Sequence, residues 1–336
     1  MSSTLLDIED LSVAIGAGPP AAGRVSHTVV DRLSLTVARG ETVALVGESG
    51  SGKSVTARAI VGLLPAGAQI RSGRIRLGTD DLTALSPRQM DGIRGRRIGM
   101  VFQQPQLMLD PTCRVGQQVA ESLRKHRGLS RGAAEARVIE LLRDVGIADP
   151  ERRARAYAFE LSGGTAQRVM IAAALSADPE LLIADEPTTA LDVTVQAQLL
   201  RLLDEQRRRR NMSLLLITHD FSIVSAIASR VLVMYAGRIV EEGPTARVLR
   251  APRHPYTRAL VACSLLQANA DGDLASIRTA GTRDAGRGCR YCARCDVAAA
   301  SGHHDACAAT EPHLHLLADG SKARCWAVGD DPAERG

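Results

Sequence analysis

Aromatic residues and long apolar runs are both scarce in this sequence. Phe, Trp and Tyr make up 2% of the 336 residues, so stacking on aromatic rings can carry little of the function. No run approaches the roughly 18–20 apolar residues of a membrane-spanning helix, and those at 214–217 and 231–234 have the length of β-strands. Asp7, Glu9 and Asp10 lie where a signal peptide would be basic and then apolar. These absences predict a protein that is cytosolic or peripheral to a membrane.

A strong excess of one charge is also missing. The 42 Lys and Arg residues against 37 Asp and Glu residues give a net charge of +5. Four consecutive arginines at 207–210 follow an apolar helical pattern, and we interpret them as a solvated helix C-terminus, where the helix dipole favours positive charge. The alternative is a nucleic-acid site, but neither a zinc-finger spacing nor an RNA-binding aromatic motif accompanies the run. We therefore expect no nucleic-acid partner.

The order of apolar segments predicts an α/β fold. We predict strands at 5–13, 29–37, 41–46, 97–102, 181–184, 213–218 and 231–235. We predict helices at 53–64, 114–125, 131–145, 164–177, 190–208 and 256–266. Repeated alternation of strand and helix favours a mainly parallel sheet covered by helices, with a helical subdomain at about 106–178. Residues 1–255 then form the main domain, and residues 256–336 form an extension with a polar linker near 270–287.

A glycine-rich loop follows the third predicted strand and precedes a helix. It reads G-x-x-x-x-G-K-S and consists of Gly47, Glu48, Ser49, Gly50, Ser51, Gly52, Lys53 and Ser54, here called the phosphate loop. Its glycines let backbone N–H groups approach phosphate oxygens, and the helix N-terminus adds its positive dipole end. Lys53 would contact the β- and γ-phosphates, and the Ser54 hydroxyl could bind Mg²⁺. The setting favours an ATP site over a chance Gly/Ser loop.

Two further elements suit nucleotide hydrolysis. An apolar strand ends in Asp185, placed for Mg²⁺, and Glu186, placed as the general base that polarises the attacking water. Ser162, Gly163 and Gly164 precede a helix and could form a second site for anions. Taken alone, this second element could equally be an ordinary helix cap.

The ordered motifs resemble those of ABC ATPases over about residues 5–250. They are GESGSGKS (47–54), FQQP (102–105), LSGGT (161–165), LLIADE (181–186), ALD (190–192) and ITHD (217–220). The resemblance implies a P-loop NTPase that forms a head-to-tail dimer with two ATP molecules between the subunits. One chain would supply the phosphate loop, Asp185 and Glu186, with Gln103 sensing Mg²⁺ and water and His219 contacting the γ-phosphate. The other would supply Ser162, Gly163 and Gly164, and Asp192 would line the interface.

Two positions depart from that family. Thr165 replaces the usual glutamine of the signature, and we expect activity to survive because Ser162 and the glycines make the phosphate contact. The aromatic residue expected to stack on adenine near the end of the first strand is missing, and Ile15 is the nearest candidate. Losing a ring stack would weaken ATP binding by about 1 kcal/mol.

Two segments resemble one branch of the family, the dipeptide, oligopeptide and nickel importer ATPases. They are residues 185–198 and 254–260. The resemblance implies a subunit on the cytoplasmic face of the cell (inner) membrane whose ATP hydrolysis energises solute import. Its expected partners are a paralogous ATPase subunit, two transmembrane permease subunits and a periplasmic or extracellular solute-binding protein. Di- or oligopeptides are the expected solute, and nickel or a metallophore is the alternative. A soluble ABC protein acting on nucleic acid or ribosomes is disfavoured, since that class typically has two fused units or a long coiled-coil insertion.

The cysteines give an independent signal. Five of the seven lie between Cys289 and Cys325, and without a secretion signal such clustering favours metal or cluster ligation over disulfides. This tail resembles the extension that binds a [4Fe–4S] cluster in the importer branch. The resemblance implies four ligands, namely Cys289, Cys295, Cys307 and Cys325. Cys292 adds an extra thiol, and the 295–307 gap is long and contains His303 and His304, so a zinc site and reduced unligated thiols remain open. Cys113 and Cys263 are predicted to be buried small residues.

Overall fold

The computed structural model describes residues 3–16, 26–189, 191–264, 288–300 and 302–329. Its main sheet contains, from one edge to the other, β11 (His315–Leu316), β12 (Lys322–Ala323), β10 (Arg238–Pro244), β9 (Arg230–Tyr235), β3 (Thr42–Val46), β8 (Ser213–Thr218), β7 (Leu181–Asp185) and β6 (Ile98–Val101). The five strands β3, β6, β7, β8 and β9 pair in parallel. Because side chains alternate along a strand, Leu182 and Ala184 pack against the helical side, and Leu181 and Ile183 pack against the opposite side. The predicted parallel sheet is confirmed for these five strands.

A second, antiparallel sheet covers one face of the first. Its order is β2-β1-β4-β5, with β1 at Thr4–Ile15, β2 at His27–Ala38, β4 at Ala68–Leu77 and β5 at Asp80–Asp81. The sequence did not predict β4 because most of its residues are polar and exposed, which hides the alternation of a half-buried strand. The apolar side chains of β1, β2 and β4 form one core with α1 (Lys53–Ile60) and the main sheet.

Helices cover the other face and form the predicted helical region. They are α3 (Pro105–Met108), α4 (Val115–Arg127), α5 (Arg131–Asp144), α6 (Pro150–Ala154) and α7 (Gly163–Leu175), and α2 (Pro87–Ile93) precedes them. The helix α8 (Val193–Arg210) ends in the arginine run. That end is only partly solvated: the Arg208 side chain is 73% exposed, whereas Arg210 is 9% exposed and binds the carboxylate of Asp178. Among the described residues, no helix is long and apolar enough to cross a membrane.

The C-terminal residues pack on the same sheet. The helix α9 (Phe221–Ile227) lies between β8 and β9. The elements that follow β10 are α10 (Thr245–Arg250), α11 (Pro255–Ser264), α12 (Asp296–Ala300), α13 (His304–Ala309), β11 (His315–Leu316) and β12 (Lys322–Ala323). β12 pairs antiparallel with β10, so the Cys-rich segment (residues 288–329) extends the sheet edge. The predicted linker near 270–287 lies outside the described residues. Cys113 and Cys263 are half-buried, not buried as predicted.

The close approach of β4 to β1 gives a stability test. A Cβ on Gly73 would lie 2.5 Å from the Asp10 carbonyl oxygen, whereas a Cβ on Gly67 would meet no atom within 4 Å. Both glycines have positive φ, so alanine introduces backbone strain at each position and a steric overlap only at Gly73. We expect Gly73→Ala to cost about 1–3 kcal/mol more than Gly67→Ala. Thermal melts of the two variants measure this difference, and equal melting temperatures would contradict the packing of β4 on β1.

Candidate nucleotide-binding site

The phosphate loop connects the buried strand β3 to the N-terminus of α1. Gly52 has φ of 107° and gives α1 no side-chain cap, so the first N–H groups of the helix remain open to a ligand. A Cβ on Gly47 would overlap the carbonyl oxygen of Met234, and one on Gly52 would lie 2.6 Å from that of Val29. These two positions therefore require glycine, which keeps the backbone of the loop available to phosphate.

The ammonium group of Lys53 lies inside the loop. Its Nζ donates to the carbonyl oxygens of Gly47 and Glu48 at 2.7 and 2.8 Å. Burial lowers the pKa of Lys53, and the charges of Glu186, Asp185 and Glu48 oppose that shift. A phosphate group would offer this ammonium a stronger partner than two neutral carbonyls do.

Ser54 and Asp185, the two predicted magnesium ligands, are hydrogen-bonded to each other. The Ser54 hydroxyl donates to Asp185 Oδ1 at 2.9 Å, and Asp185 is only 3% exposed. Burial raises the pKa of the Asp185 carboxyl group. A hydroxyl and a buried carboxylate are oxygen ligands that suit Mg²⁺, and a cation would stabilise the ionised carboxylate. The two residues therefore fit the predicted ion, which would neutralise charge on the β- and γ-phosphates when bound.

Glu186 is the centre of a hydrogen-bonded group at the end of β7. Its Oε2 accepts from Gln103 Nε2 at 3.0 Å and from Thr189 Oγ1 at 2.8 Å, and its Oε1 lies 3.2 Å from His219 Nδ1. Its φ of 47° is uncommon for a residue with a side chain, and such backbone strain is found at functional sites. The structure thus brings the predicted residues Gln103, Glu186 and His219 together. Thr189 was not predicted, because nothing in its local sequence marks it as a partner of Glu186.

Most of the residues described above line one cavity of about 710 Å³. Its described lining comprises Val29, Glu48, Ser49, Gly50, Gly52, Lys53, Ser54, Val55, Gln103, Glu186, His219, Leu260, Cys263 and Ser264. The last three belong to α11, which the sequence placed outside the main domain. Ile15, the candidate for contact with adenine, is not among the described lining residues, and Val29 and Leu260 provide the apolar surface instead.

The residues of the second anion site lie elsewhere. Ser162 is the N-cap of α7, and its Oγ accepts from Thr165 N at 3.3 Å. Asp192 caps α8 in the same way through Val195 N at 3.0 Å. None of Ser162, Gly163, Gly164 and Asp192 is among the described residues that line the cavity. Within one chain, the structure therefore keeps this segment apart from the phosphate loop.

The four predicted cluster ligands lie near one another. Burial raises the pKa of the Cys289 thiol to about 12, and the neighbouring Cys307, Cys325 and Cys295 add to that shift. Burial likewise raises the pKa of Cys307 to about 11. In the part of the chain that the structure describes, no three His, Cys, Asp or Glu side chains form a group that could hold a metal ion. The cluster and its ligand set therefore stay a prediction.

Comparison with known proteins agrees with this geometry. A family model described as "ABC transporter" matches residues 30–189, and one described as "Oligopeptide/dipeptide transporter, C-terminal region" matches residues 240–301. The dipeptide transport ATP-binding protein DppD of Escherichia coli (strain K12) is 42% identical over 97% of this chain and 98% of its own length. The oligopeptide transport ATP-binding protein OppD of Bacillus subtilis (strain 168) is 45% identical over 81% of this chain and 75% of its own length.

The fold also matches solved structures. The ATP-binding cassette MJ0796, in a dimeric post-hydrolysis state bound to ADP and Pi, superposes with a TM-score of 0.64 at 26% identity and covers 72% of this chain and 99% of that chain. The fold and the site together define an ATP-hydrolysing cassette of the P-loop NTPase class. The chain belongs to the ABC transporter family, among ATP-binding subunits similar to DppD and OppD.

The position of Glu186 gives a test of its role. We expect Glu186→Gln to bind ATP but to lower kcat by about 10²–10⁴-fold, because the amide cannot accept a proton from water. Steady-state hydrolysis and equilibrium ATP binding measure the two effects. Glu205→Gln removes an exposed carboxylate from α8 and serves as the matched control. Hydrolysis by Glu186→Gln at the rate of this control would contradict the assignment.

Proposed function

We propose that this chain energises the import of di- or oligopeptides by a binding-protein-dependent ABC transporter. The observation that carries the proposal is the similarity to a dipeptide transport ATP-binding protein over 97% of this chain and 98% of that protein. The C-terminal family match at 240–301 supports the same branch, because it lies outside the cassette common to all ABC ATPases. The nucleotide site carries no information on the solute, so the solute class rests on the relatives.

The geometry supports the following roles of these residues in ATP hydrolysis. The open N–H groups of the phosphate loop and Lys53 would bind the β- and γ-phosphates, and Ser54 and Asp185 would hold Mg²⁺. Glu186 would orient and deprotonate the attacking water, with Gln103 and Thr189 fixing its carboxylate. His219 lies against the same carboxylate and would contact the γ-phosphate.

The separation of Ser162, Gly163 and Gly164 from the cavity supports a site shared by two subunits. In a head-to-tail dimer, these residues of one chain would close over ATP held by the phosphate loop of the other, with Asp192 at the interface. The dimeric state of the cassette MJ0796 is consistent with this arrangement. We infer that the second subunit is a paralogous ATPase.

An exposed apolar surface beside Gln103 supports contact with permease subunits. Leu107 and Met108 in α3 are 72% and 53% exposed, and Phe159 is 73% exposed. Adjacent exposed apolar side chains such as Leu107 and Met108 can mark a site of protein association. We infer that two transmembrane permease subunits dock here, which places the chain on the cytoplasmic face of the cell membrane beside a solute-binding protein on the other side.

We also propose that Cys289, Cys295, Cys307 and Cys325 hold a [4Fe–4S] cluster. Their proximity supports the grouping, since the four thiols lie within electrostatic reach of one another and Cys289 N donates to the Cys307 carbonyl oxygen at 2.7 Å. The extra thiol Cys292 lies within the same reach of Cys295 and Cys307. A [4Fe–4S] cluster is held by four Cys thiolates, which matches the number of these residues, and a zinc site is the alternative.

Transport in a reconstituted system tests the solute class. We expect the full complex, with its binding protein and permeases, to hydrolyse ATP faster when di- or oligopeptides are added. Lys53→Ala should abolish both hydrolysis and uptake, because it removes the phosphate contact. Stimulation by nickel or a metallophore but not by peptide would contradict the proposed solute.

Anaerobic purification tests the cluster. We expect a brown protein with a visible iron–sulfur absorption band and with bound iron and sulfide. Cys307→Ser should lose the band, whereas Cys113→Ser, in the helical region, should retain it. Stoichiometric zinc without iron would contradict the cluster and favour the zinc alternative.

A further inference from the structure

The Cys-rich segment makes a direct ionic contact with the phosphate loop. Arg294, which lies between Cys292 and Cys295, binds the Glu48 carboxylate with both terminal nitrogens: Nη2 donates to Oε1 at 2.8 Å and Nη1 donates to Oε2 at 3.1 Å. The Arg294 side chain is 13% exposed and that of Glu48 is 32% exposed. A bidentate contact of this kind fixes both the position and the orientation of the carboxylate.

Tyrosines hold the guanidinium group of Arg294 in place. Its carbon lies 5.5 Å from the ring centre of Tyr235 and 5.7 Å from that of Tyr291, within the range of cation–π attraction. Arg294 Nη1 also donates to the Tyr235 hydroxyl at 3.2 Å. The third tyrosine of the group, Tyr256 of α11, accepts the backbone N–H of Glu48 at 2.8 Å. Both the side chain and the backbone of Glu48 are therefore held by residues outside the cassette motifs.

The acid at this position poses an electrostatic problem. Glu48 is part of a loop that binds the polyanionic triphosphate of ATP, and like charges at short range repel each other. The negative charge of Glu48 acts on Lys53, since it raises the Lys53 pKa and so opposes the lowering by burial. Among the described residues, Arg294 is the cation that binds the Glu48 carboxylate. A guanidinium group there cancels the unfavourable charge before phosphate arrives.

We propose that Arg294 is a positioning residue for ATP binding, which neutralises Glu48 and so makes the affinity of the phosphate loop depend on the Cys-rich segment. The inference rests on the proposed role of the phosphate loop in binding ATP. This role would give the Cys-rich segment a function in ATP binding, because Arg294 belongs to the 3₁₀ turn Cys292–Arg294, which Cys295 caps. Since coupling between two sites is reciprocal, ATP binding also stabilises this turn.

Loss of Arg294 leaves other contacts of the segment intact. Arg290 binds the Asp31 carboxylate and the Ala236 carbonyl oxygen, and Glu311 binds Arg238 at 3.0 Å. The pairing of β12 with β10 is also independent of Arg294. We therefore expect Arg294→Gln to fold, which a thermal melt can verify.

Steady-state kinetics and equilibrium binding of Mg·ATP to the full-length chain test the proposal. We expect Arg294→Gln to raise the KM and Kd for ATP by about 5-fold or more, with kcat little changed. Arg294→Lys should have an intermediate effect, because lysine keeps the positive charge but cannot make the bidentate contact with the Glu48 carboxylate. The decisive variant combines Arg294→Gln with Glu48→Gln: removal of the acid should restore most of the lost affinity. Arg208→Gln, which removes an exposed arginine from α8, is the matched control.

The outcomes separate this inference from the proposed function. An unchanged KM for ATP in Arg294→Gln would overturn the inference about Arg294. A double variant that binds ATP no more tightly than Arg294→Gln alone would also overturn it, since the arginine would then act without Glu48. A fall in kcat at constant KM would indicate only a loss of folded protein and would likewise contradict a positioning role. Lys53→Ala is measured in parallel: if it still binds ATP normally, the proposed role of the phosphate loop itself has failed.

Discussion

The whole site depends on the parallel pairing of three buried strands. β3 pairs with β8 so that Val46 lies opposite Thr218, and β7 pairs with β8 so that Asp185 lies opposite Ile217. The residues that follow these strands therefore leave the sheet at one edge, although they are far apart in sequence. Every side chain of the three strands is buried, so their register is fixed by the apolar cores on both faces. A slip of one residue would separate the phosphate loop from Glu186 and His219.

The C-terminal residues belong to the same physical unit as the site. Three of the four tyrosines in a chain that is poor in aromatic residues, Tyr235, Tyr256 and Tyr291, form one cluster behind the phosphate loop. α11 begins after His254, which is buried and whose Nδ1 accepts the N–H of Tyr256 at 3.1 Å. Burial lowers the pKa of His254 to about 3, so the ring stays neutral and can accept this bond at physiological pH. The histidine thereby places Tyr256 against Glu48.

The sequence was sufficient for the parts of the site that have local signals. The phosphate loop follows one buried, mostly apolar strand, and Asp185 and Glu186 lie at the end of another, so their chemistry can be inferred from that setting. Thr189, Leu260 and Arg294 could not be inferred, because their roles depend on which segments pack together. The strand β4 was not predicted for a different reason. Its side chains are mostly polar, and it forms a strand because it pairs with β1, which its composition does not reveal. Cys263 was misjudged because it faces the cavity and not a core.

In the proposed function, two subunits close on nucleotide in a head-to-tail dimer. A structure of the assembled complex with the Glu186→Gln chain and Mg·ATP tests it most directly. We expect ATP between the phosphate loop of this chain and the Ser-Gly-Gly segment of its partner, with Ser162 of this chain at the opposite site. ATP enclosed by residues of a single chain, or bound away from the phosphate loop, would contradict it.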